Sequence, residues 1–317
     1  MQLDVLRSEF PEQLPTIHVD SIKRDQFIER YVLKKQPVVI EGIPEAQNWR
    51  ATKRWASEET FLGHYGDVPL RIGKVFPEEP GVPPFQIRIP VKGYREYLQG
   101  EYSDAPFYVF EDDFEGERSQ FLTDYSVPSF FEEDLYDLNE KTRSFYPFNR
   151  HILIGGTRTG TNIHIDPKYT AAWNTLLCGK KKWMIFPEHA SFTLQNGLKI
   201  ESYEDYCKFL GTKEYRDLPP SYWWIDIPPK LSSPFGYYEF IQEPGQTIYI
   251  PAGCWHAVLN LSFTISITHN LLHPKTFPSL QTSMQQKYPK FTKYLTSLLT
   301  GNETQLEEED ENSSGEY

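Results

Sequence analysis

The chain has 317 residues and a formal net charge of −12, with a pI near 5.2, which argues against nucleic acid or an anionic membrane as its main partner. Aromatic residues make up 15% of it and prolines number 25, a composition more typical of a strand-and-loop protein than of a helical bundle. Three cysteines without metal-site spacing, no signal-peptide pattern and no run of 18 apolar residues predict a cytoplasmic or nuclear protein that is neither secreted nor embedded in a membrane.

Residues 1–145 alternate helix and strand signals and are predicted to pack on the core that follows. Asp20 and Ser21 are candidate N-caps of the first helix. Residues 75–90 are too rich in proline for regular structure. Helices are predicted over 19–33, 55–66 and 91–100, and strands over 36–43, 68–73 and 105–112.

Residues 146–275 read as strand after strand, interrupted by glycine and proline turns, which predicts a sandwich or barrel. A long loop with one short helix near 203–211 is predicted within residues 195–235. Residues 276–300 have helical periodicity, broken at Pro289, and are a candidate homodimer surface. The acidic tail 301–317 is nearly free of apolar residues, so we expect it to be disordered.

Two histidines and one carboxylate in the β-rich half form a candidate metal site. His164 and Asp166 share a strand face because side chains alternate, and His256 begins a later strand after a Pro/Gly turn. Two histidines with one carboxylate are the facial triad of non-haem Fe(II) oxygenases. Ordinary core histidines are the alternative. A second His-x-Asp pair, His18 and Asp20, is explained by the start of a helix.

A lysine and an amide on neighbouring strands suggest a carboxylate-binding pocket. If Gly179 turns the chain into a hairpin, Lys181 shares a face with Asn174, whereas Lys180 and Lys182 face the other side, which we expect to be solvent.

The last two strands of this half show a comparable polar face. With a three-residue loop over 261–263, His256 would lie across from Thr268, on a face shared with Ser266 and Asn270. Such a face is either the lining of a pocket or an exposed side of a sheet.

The segments GTRTGTNIHIDPKYTAAWNTLLCGKKKWMIFP and PGQTIYIPAGCWHAVLNLSFTISITHN resemble the Jumonji C (JmjC) class of Fe(II)/2-oxoglutarate oxygenases. Within that class they resemble the arginine demethylase and lysyl hydroxylase branch, over roughly residues 22–275. The resemblance implies a mainly β fold with flanking helices, namely a double-stranded β-helix (cupin-like jelly roll). It also implies Fe(II), 2-oxoglutarate as co-substrate, and O₂.

The resemblance also implies roles for individual residues. His164, Asp166 and His256 match the iron ligands. Lys181 and Thr268 match residues that bind the distal carboxylate of 2-oxoglutarate, with Asn174 and Tyr108 as further contacts. The chain departs from the branch at His151, where relatives have tryptophan, and in its acidic tail, which replaces a basic extension and puts nuclear and RNA-linked roles in doubt.

For activity, the resemblance implies hydroxylation of a lysyl or other side chain of a polypeptide, with demethylation of N-methylated arginine or lysine as the alternative. A silent binding scaffold and a cupin enzyme that uses Zn or Mn are further alternatives. Acidic residues cluster at 110–117 and 130–137, and these loops could attract a Lys/Arg-rich segment of a protein substrate. No GxSxG, Walker or HExxH motif occurs, so acyl transfer, phosphoryl transfer and zinc peptidase chemistry have no support.

Overall fold

The computed structural model describes residues 13–73, 86–188 and 237–301, with the segments 192–194, 199–200, 205, 219–226 and 231–232 between the last two. Its strands are β1 (Thr16–His18), β2 (Val38–Glu41), β3 (Pro69–Gly73), β4 (Gln86–Pro90), β5 (Tyr108–Glu111), β6 (Arg150–Gly155), β7 (Gly160–His164), β8 (Ala171–Cys178), β9 (Lys181–Ile185), β10 (Phe192–Leu194), β11 (Lys199–Ile200), β12 (Leu231–Ser232), β13 (Tyr238–Gln242), β14 (Thr247–Ile250), β15 (His256–Asn260) and β16 (Thr264–Leu271).

The α-helices are mostly short and lie outside the strand-rich core. They are α1 (Arg24–Phe27), α2 (Ile43–Ala46), α3 (Ala51–Arg54), α4 (Glu58–Tyr65), α5 (Val91–Gly100), α6 (Glu140–Phe145), α7 (Pro220–Asp226), α8 (Phe277–Lys287) and α9 (Pro289–Thr300). Among the helices that the structure describes, none combines the length and hydropathy that a membrane span requires.

Two sheets contain the eight strands of the core. The major sheet has nine strands in the order β1-β2-β14-β8-β16-β6-β5-β3-β4, and the minor sheet has four in the order β13-β9-β15-β7. From β6 to β9 the chain alternates between the sheets, and it does so again from β13 to β16. This winding is the double-stranded β-helix, so the predicted jelly-roll fold with flanking helices is confirmed.

The two hairpins expected from the sequence do not form. β8 pairs with β14 and β16 in the major sheet, whereas β9 pairs with β13 and β15 in the minor sheet. Likewise β15 lies in the minor sheet and β16 in the major sheet. Gly179 and residues 261–263 are therefore crossings between sheets. Gly179 has a φ of +84°, and a Cβ there would lie 1.9 Å from the Phe263 carbonyl oxygen, so only glycine fits where the two crossings meet.

The N-terminal region differs from the sequence expectation in its details. Val19–Ser21 form a 3₁₀ turn, and α1 begins only after Lys23, so Asp20 and Ser21 are not its N-caps. β4 lies inside the proline-rich stretch 75–90, where no regular structure was expected, because residues 86–90 pair with β3 at the edge of the major sheet. Residues 74–85, the helix predicted near 203–211 and the tail 302–317 lie outside the described residues, apart from Asp205.

Strand alternation assigns each side chain of the two sheets to one of two environments. The outer face of the major sheet buries Trp173, Tyr249 and Ile267 beneath the N-terminal helices, and Phe131 stacks on Trp173 with ring centroids 6.1 Å apart. Each such side chain contributes about 2–3 kcal/mol when fully buried. The inner faces carry polar residues as well as apolar ones, and these polar residues form the site described next.

Candidate active site

The three residues predicted as metal ligands lie together at one end of the minor sheet. His164 ends β7 and His256 begins β15, and the two are directly paired, with ring centroids 4.2 Å apart. Asp166 follows two residues after His164. Its Oδ1 is 3.8 Å from the Nε2 atom of each histidine. One ligand atom from each residue thus fits within 4.8 Å of the others.

Backbone carbonyls orient both imidazoles. Nδ1 of His164 lies 2.7 Å from the Asn162 carbonyl oxygen, and Nδ1 of His256 lies 3.0 Å from that of Cys254. Because a carbonyl only accepts hydrogen bonds, we assign the proton of each ring to Nδ1, which directs the Nε2 lone pair towards Asp166. Burial lowers the pKa of His164 to about 4, with a further lowering from His256, so its ring is neutral, as a metal ligand must be.

The donor set fits a divalent metal. Oδ2 of Asp166 is buried and has no hydrogen-bond partner among the described residues. A buried carboxylate oxygen without a partner is costly unless a cation or donor satisfies it. Two imidazoles and one carboxylate on one side are the facial arrangement that suits Fe(II) and leaves positions open for other ligands. By contrast, His18 and Asp20 are 3.5 Å apart but 53% and 81% exposed, and no third ligand joins them among the described residues.

A cavity between the two sheets extends from these ligands and contains all four predicted co-substrate residues. Asn174 and Thr268 are direct partners on β8 and β16, whereas Lys181 enters from β9 and Tyr108 from β5. Thr268 donates to the Trp173 carbonyl oxygen at 2.9 Å, and the Asn174 Oδ1 is buried without a hydrogen-bond partner in the described part of the chain.

Lys181 is a buried lysine that has no carboxylate counterion among the residues that the structure describes. The residue is only 1% exposed, and its Nζ atom donates a 3.2 Å hydrogen bond to the Tyr108 hydroxyl. No carboxylate of the described residues lies within ion-pair distance of it. Burial lowers the pKa of Lys181 to about 7. The Lys181 ammonium thus has no anion beside it among the described residues. A ligand carboxylate would supply both the negative charge and the hydrogen-bond acceptors.

Comparisons with known proteins agree with this geometry. The family model for the JmjC domain, described as a hydroxylase, matches residues 151–271. Similar proteins include a lysine-specific demethylase of Arabidopsis thaliana, JMJ21, with 34% identity over 81% of this chain and 25% of that protein. The bifunctional arginine demethylase and lysyl-hydroxylase psr-1 of Caenorhabditis elegans has 29% identity over 94% of this chain and 70% of that protein. Residues 151–271 of this chain are a JmjC domain.

A third relative is the mouse 2-oxoglutarate and iron-dependent oxygenase JMJD4, with 26% identity over 82% of this chain and 61% of that protein. Of the Arabidopsis protein JMJ21, by contrast, the chain spans only a quarter of the length. The matched JmjC domain contains the three metal-ligand candidates as well as Lys181 and Thr268, whereas Tyr108 reaches the cavity from β5, outside the matched residues.

The JmjC cavity also has lining residues that sequence reasoning did not single out. Phe110 and Trp183 both face it, and strand alternation could have found them, since each lies two residues after a predicted site residue. His151 pairs with Thr268 across β6 and β16, and its ring lies 4.4 Å from that of Phe110. Burial lowers the pKa of His151 to about 3, so a neutral imidazole forms the wall where relatives were expected to have tryptophan.

One expectation about charged residues around the JmjC domain is wrong, and part of the predicted acidic surface is neutralised by arginines. Lys182 does not face solvent: it is 4% exposed, pairs with Glu239 at 2.5 Å and lies 4.9 Å from the Trp224 ring centroid, because α7 covers this face of the minor sheet. The acidic loop after β5 is also not a free negative surface. Asp112 pairs with Arg71, and Asp113 pairs with Arg88 at 2.8 Å and with Arg118 at 2.6 Å.

Proposed function

We propose that the chain is an Fe(II)- and 2-oxoglutarate-dependent oxygenase that hydroxylates a side chain of a protein, with lysine as the preferred target. The observation that carries the proposal is one cavity with a facial triad at one end and, inside it, a buried lysine that has no counterion in the described part of the chain. A keto-dicarboxylate has a chelating end for the metal and a second carboxylate for the lysine, so it matches both features.

Each residue of the site has a separate task in this proposal. His164, Asp166 and His256 would hold Fe(II), with the carbonyls of Asn162 and Cys254 orienting the two rings. Bound Fe(II) would activate O₂, the oxidant, with 2-oxoglutarate as the reductant that leaves as succinate and CO₂, and this chemistry hydroxylates a C–H bond.

The co-substrate would be held from both sheets. Lys181 would donate to its distal carboxylate together with Thr268, while Tyr108 orients the lysine and Asn174 offers an amide to the same ligand. The aromatic rings of Phe110 and Trp183 line the same cavity and would limit the access of water to the bound co-substrate.

Demethylation is the second candidate, because JMJ21 and psr-1 are both named as demethylases. The same hydroxylation on an N-methyl carbon gives an unstable product that releases formaldehyde, so substrate positioning alone separates the two activities. We place hydroxylation first because a free lysyl side chain needs no prior modification. A silent scaffold has no use for a complete triad together with an uncompensated buried lysine.

The experiment that tests the proposal is a product assay in cell extract. The protein is loaded with Fe(II), incubated with 2-oxoglutarate and extract, and the peptides are searched for a gain of one oxygen or loss of a methyl group. Succinate must form only when Fe(II) is present. Asp166→Ala is the inactive control and Asp20→Ala the matched control in the other His-x-Asp pair. Turnover with Zn or Mn alone, or no succinate at all, would contradict the proposal.

A basic segment is the substrate that the charge of the chain favours. The net charge of −12 raises the local concentration of Lys/Arg-rich peptides. The loop after β5 contributes less than its sequence suggests, since Asp112 and Asp113 are neutralised and Glu115 is exposed. In the second acidic cluster Glu132 is exposed, whereas Glu133 pairs with Arg24 at 3.2 Å. Peptide hydroxylation should therefore weaken with added salt, and a salt-independent rate on basic peptides would argue against this preference.

Assembly and location extend the proposal. Leu298 and Leu299 on α9 are 38% and 46% exposed, and they make this helix the proposed homodimer surface. Light scattering of Leu298→Lys against wild type tests the dimer surface, and an unchanged mass rules it out.

The cysteines Cys178 and Cys254 are free thiols, in keeping with a reducing compartment, for which we propose the cytoplasm or nucleus.

A further inference from the structure

The loop that follows Asp166 has an unusual backbone. Lys168 and Tyr169 have φ values of +53° and +59°, so two consecutive residues other than glycine adopt the left-handed conformation. This conformation brings Cβ close to the backbone, and a single such residue is already uncommon. Strained residues persist only where surrounding contacts hold them, and they concentrate at functional sites. Here they begin two residues after the candidate carboxylate ligand Asp166.

The contacts that hold the loop converge on Lys168. Its Nζ donates to the Phe145 carbonyl oxygen at 2.6 Å, and the ammonium lies 4.3 Å from the centroid of the Phe145 ring and 5.4 Å from that of Tyr146. The Tyr136 hydroxyl donates to the Lys168 carbonyl oxygen at 2.5 Å. Both the side chain and the backbone of this lysine are therefore fixed by the segment that precedes β6.

The same segment connects the loop to the C-terminal helices. The Phe145 ring stacks on Phe291 of α9 with centroids 3.6 Å apart. Tyr169 adds a second connection, since its hydroxyl donates to the Ser283 carbonyl oxygen of α8 at 3.2 Å. At the other end of the loop, Asn270 of β16 donates to Thr170 at 3.0 Å. The short path from Asp166 to β8 is thus held between the jelly roll and α8–α9.

We propose that Lys168 is a positioning residue for the metal ligand Asp166, and that the C-terminal helices support the metal centre through it. The inference rests on the metal centre of the proposed function. The contacts of Lys168 with Phe145, Tyr146 and Tyr136, which we call the clamp, stabilise the left-handed turn. The turn in turn fixes the position of the Asp166 carboxylate relative to His164 and His256. Without the clamp, the loop relaxes and the carboxylate is no longer presented to the metal at the same place.

The test is the affinity of the metal-free full chain for Co(II) alone, measured by absorption titration and calorimetry, with the melting temperature of the metal-free protein as a second readout. Lys168→Gly removes the clamp and also relieves the backbone, since glycine adopts positive φ without cost. We expect its dissociation constant for Co(II) to rise about 10- to 100-fold, the usual effect of losing a group that orients a ligand. Its melting temperature should stay within about 3 °C of wild type.

Three further variants complete the experiment. Lys168→Arg keeps the cation over the aromatic rings and should stay within about twofold of the wild-type affinity, whereas Lys168→Ala should bind as weakly as the glycine variant. Tyr136→Phe removes one hydroxyl and should weaken Co(II) binding several-fold. Asn48→Gly is the matched control, since it relieves another left-handed residue (φ +53°) in the N-terminal helical layer and should leave the affinity unchanged.

The outcomes separate the two proposals. If wild type binds no Co(II), the metal centre of the proposed function fails. If wild type binds Co(II), and both Lys168→Gly and Lys168→Ala bind it as tightly as wild type does, only the positioning role fails. The role is also overturned if Lys168→Arg is as weak as Lys168→Ala. Should the glycine variant not fold, Tyr136→Phe decides, and an unchanged dissociation constant for it overturns the role.

Discussion

The charge state of Lys181 should control the affinity for 2-oxoglutarate. The variant Lys181→Met removes the ammonium and keeps most of the side-chain length in a site that is 1% exposed. Hydrogen bonds to a charged partner contribute about 1.5–3 kcal/mol, which corresponds to a loss of affinity between about tenfold and a hundredfold. Because the group is buried and has no other anion in the described residues, we expect the upper part of this range.

The pH dependence follows from the lowered pKa of Lys181, about 7, which results from burial. A dicarboxylate binds the ammonium form, and above pH 7 the metal-loaded protein without ligand loses that form progressively. The dissociation constant of 2-oxoglutarate should therefore rise with pH, by about 15-fold between pH 7.0 and 8.5, until the raised pKa of the complex is reached. Below pH 6.5 it should be constant.

Calorimetric titration of the Mn(II)-loaded protein with 2-oxoglutarate at pH 6.5, 7.0 and 8.5 measures both effects. Lys181→Met gives the baseline for any pH effect on the metal itself. Lys180→Met is the matched control, because Lys180 is exposed and pairs with Glu243 at 2.8 Å on the opposite face. The reasoning is refuted if the wild-type constant does not change between pH 7.0 and 8.5, or if the two methionine variants bind equally.

Three further outcomes are expected. Asp166→Ala should abolish Fe(II)-dependent succinate formation with a circular dichroism spectrum like that of wild type, and retained turnover would remove Asp166 from the metal site. Asp113→Lys should lower the melting temperature by several degrees because it breaks contacts with two arginines. Glu115 is exposed in the same loop, so Glu115→Lys should leave the melting temperature unchanged. Equal melting temperatures for the two variants would mean that the arginine contacts contribute little. Burial raises the pKa of Asp134 to about 6, so the fold favours the protonated acid. The contribution of this preference to the free energy of unfolding is complete below about pH 4 and is lost as the pH rises through 6. Urea unfolding at pH 4 and pH 7 should show this loss, at most about 3 kcal/mol, and Asp134→Asn should reduce it; the same pH dependence in both proteins would rule out Asp134 as its source.

Much of the fold class could be predicted from the sequence because it depends on local properties. Short alternating strands between glycine and proline turns indicated a sandwich or barrel, and the structure confirms the jelly roll with helices outside. The edge strand β4 was missed, since proline-rich residues form regular structure there only by pairing with β3. Local propensity does not report a partner strand that lies elsewhere in the chain.

Strand alternation is a property of the backbone itself, so the sequence alone indicated that Lys181, Asn174 and Thr268 could each face a common interior. It also predicted that Asp166 would lie near His164, although β7 ends at His164 and Asp166 follows in the loop. It did not determine which strands pair. The expected hairpins at Gly179 and at residues 261–263 are crossings between sheets, so Lys181 reaches Asn174 across the interior of the jelly roll rather than along one sheet.

Only the tertiary structure decided the environment of each charge. Lys182 became a buried ion-pair partner because α7 covers its face, and the carboxylates of Asp112 and Asp113 were neutralised by Arg71 and Arg88 from β3 and β4. The sequence pattern did not single out Lys168, yet this residue stands in a left-handed turn two residues after Asp166. Charge and burial depend on the neighbours that folding brings from distant parts of the chain, which is why the sequence pattern predicted the ligand set but not the support around it.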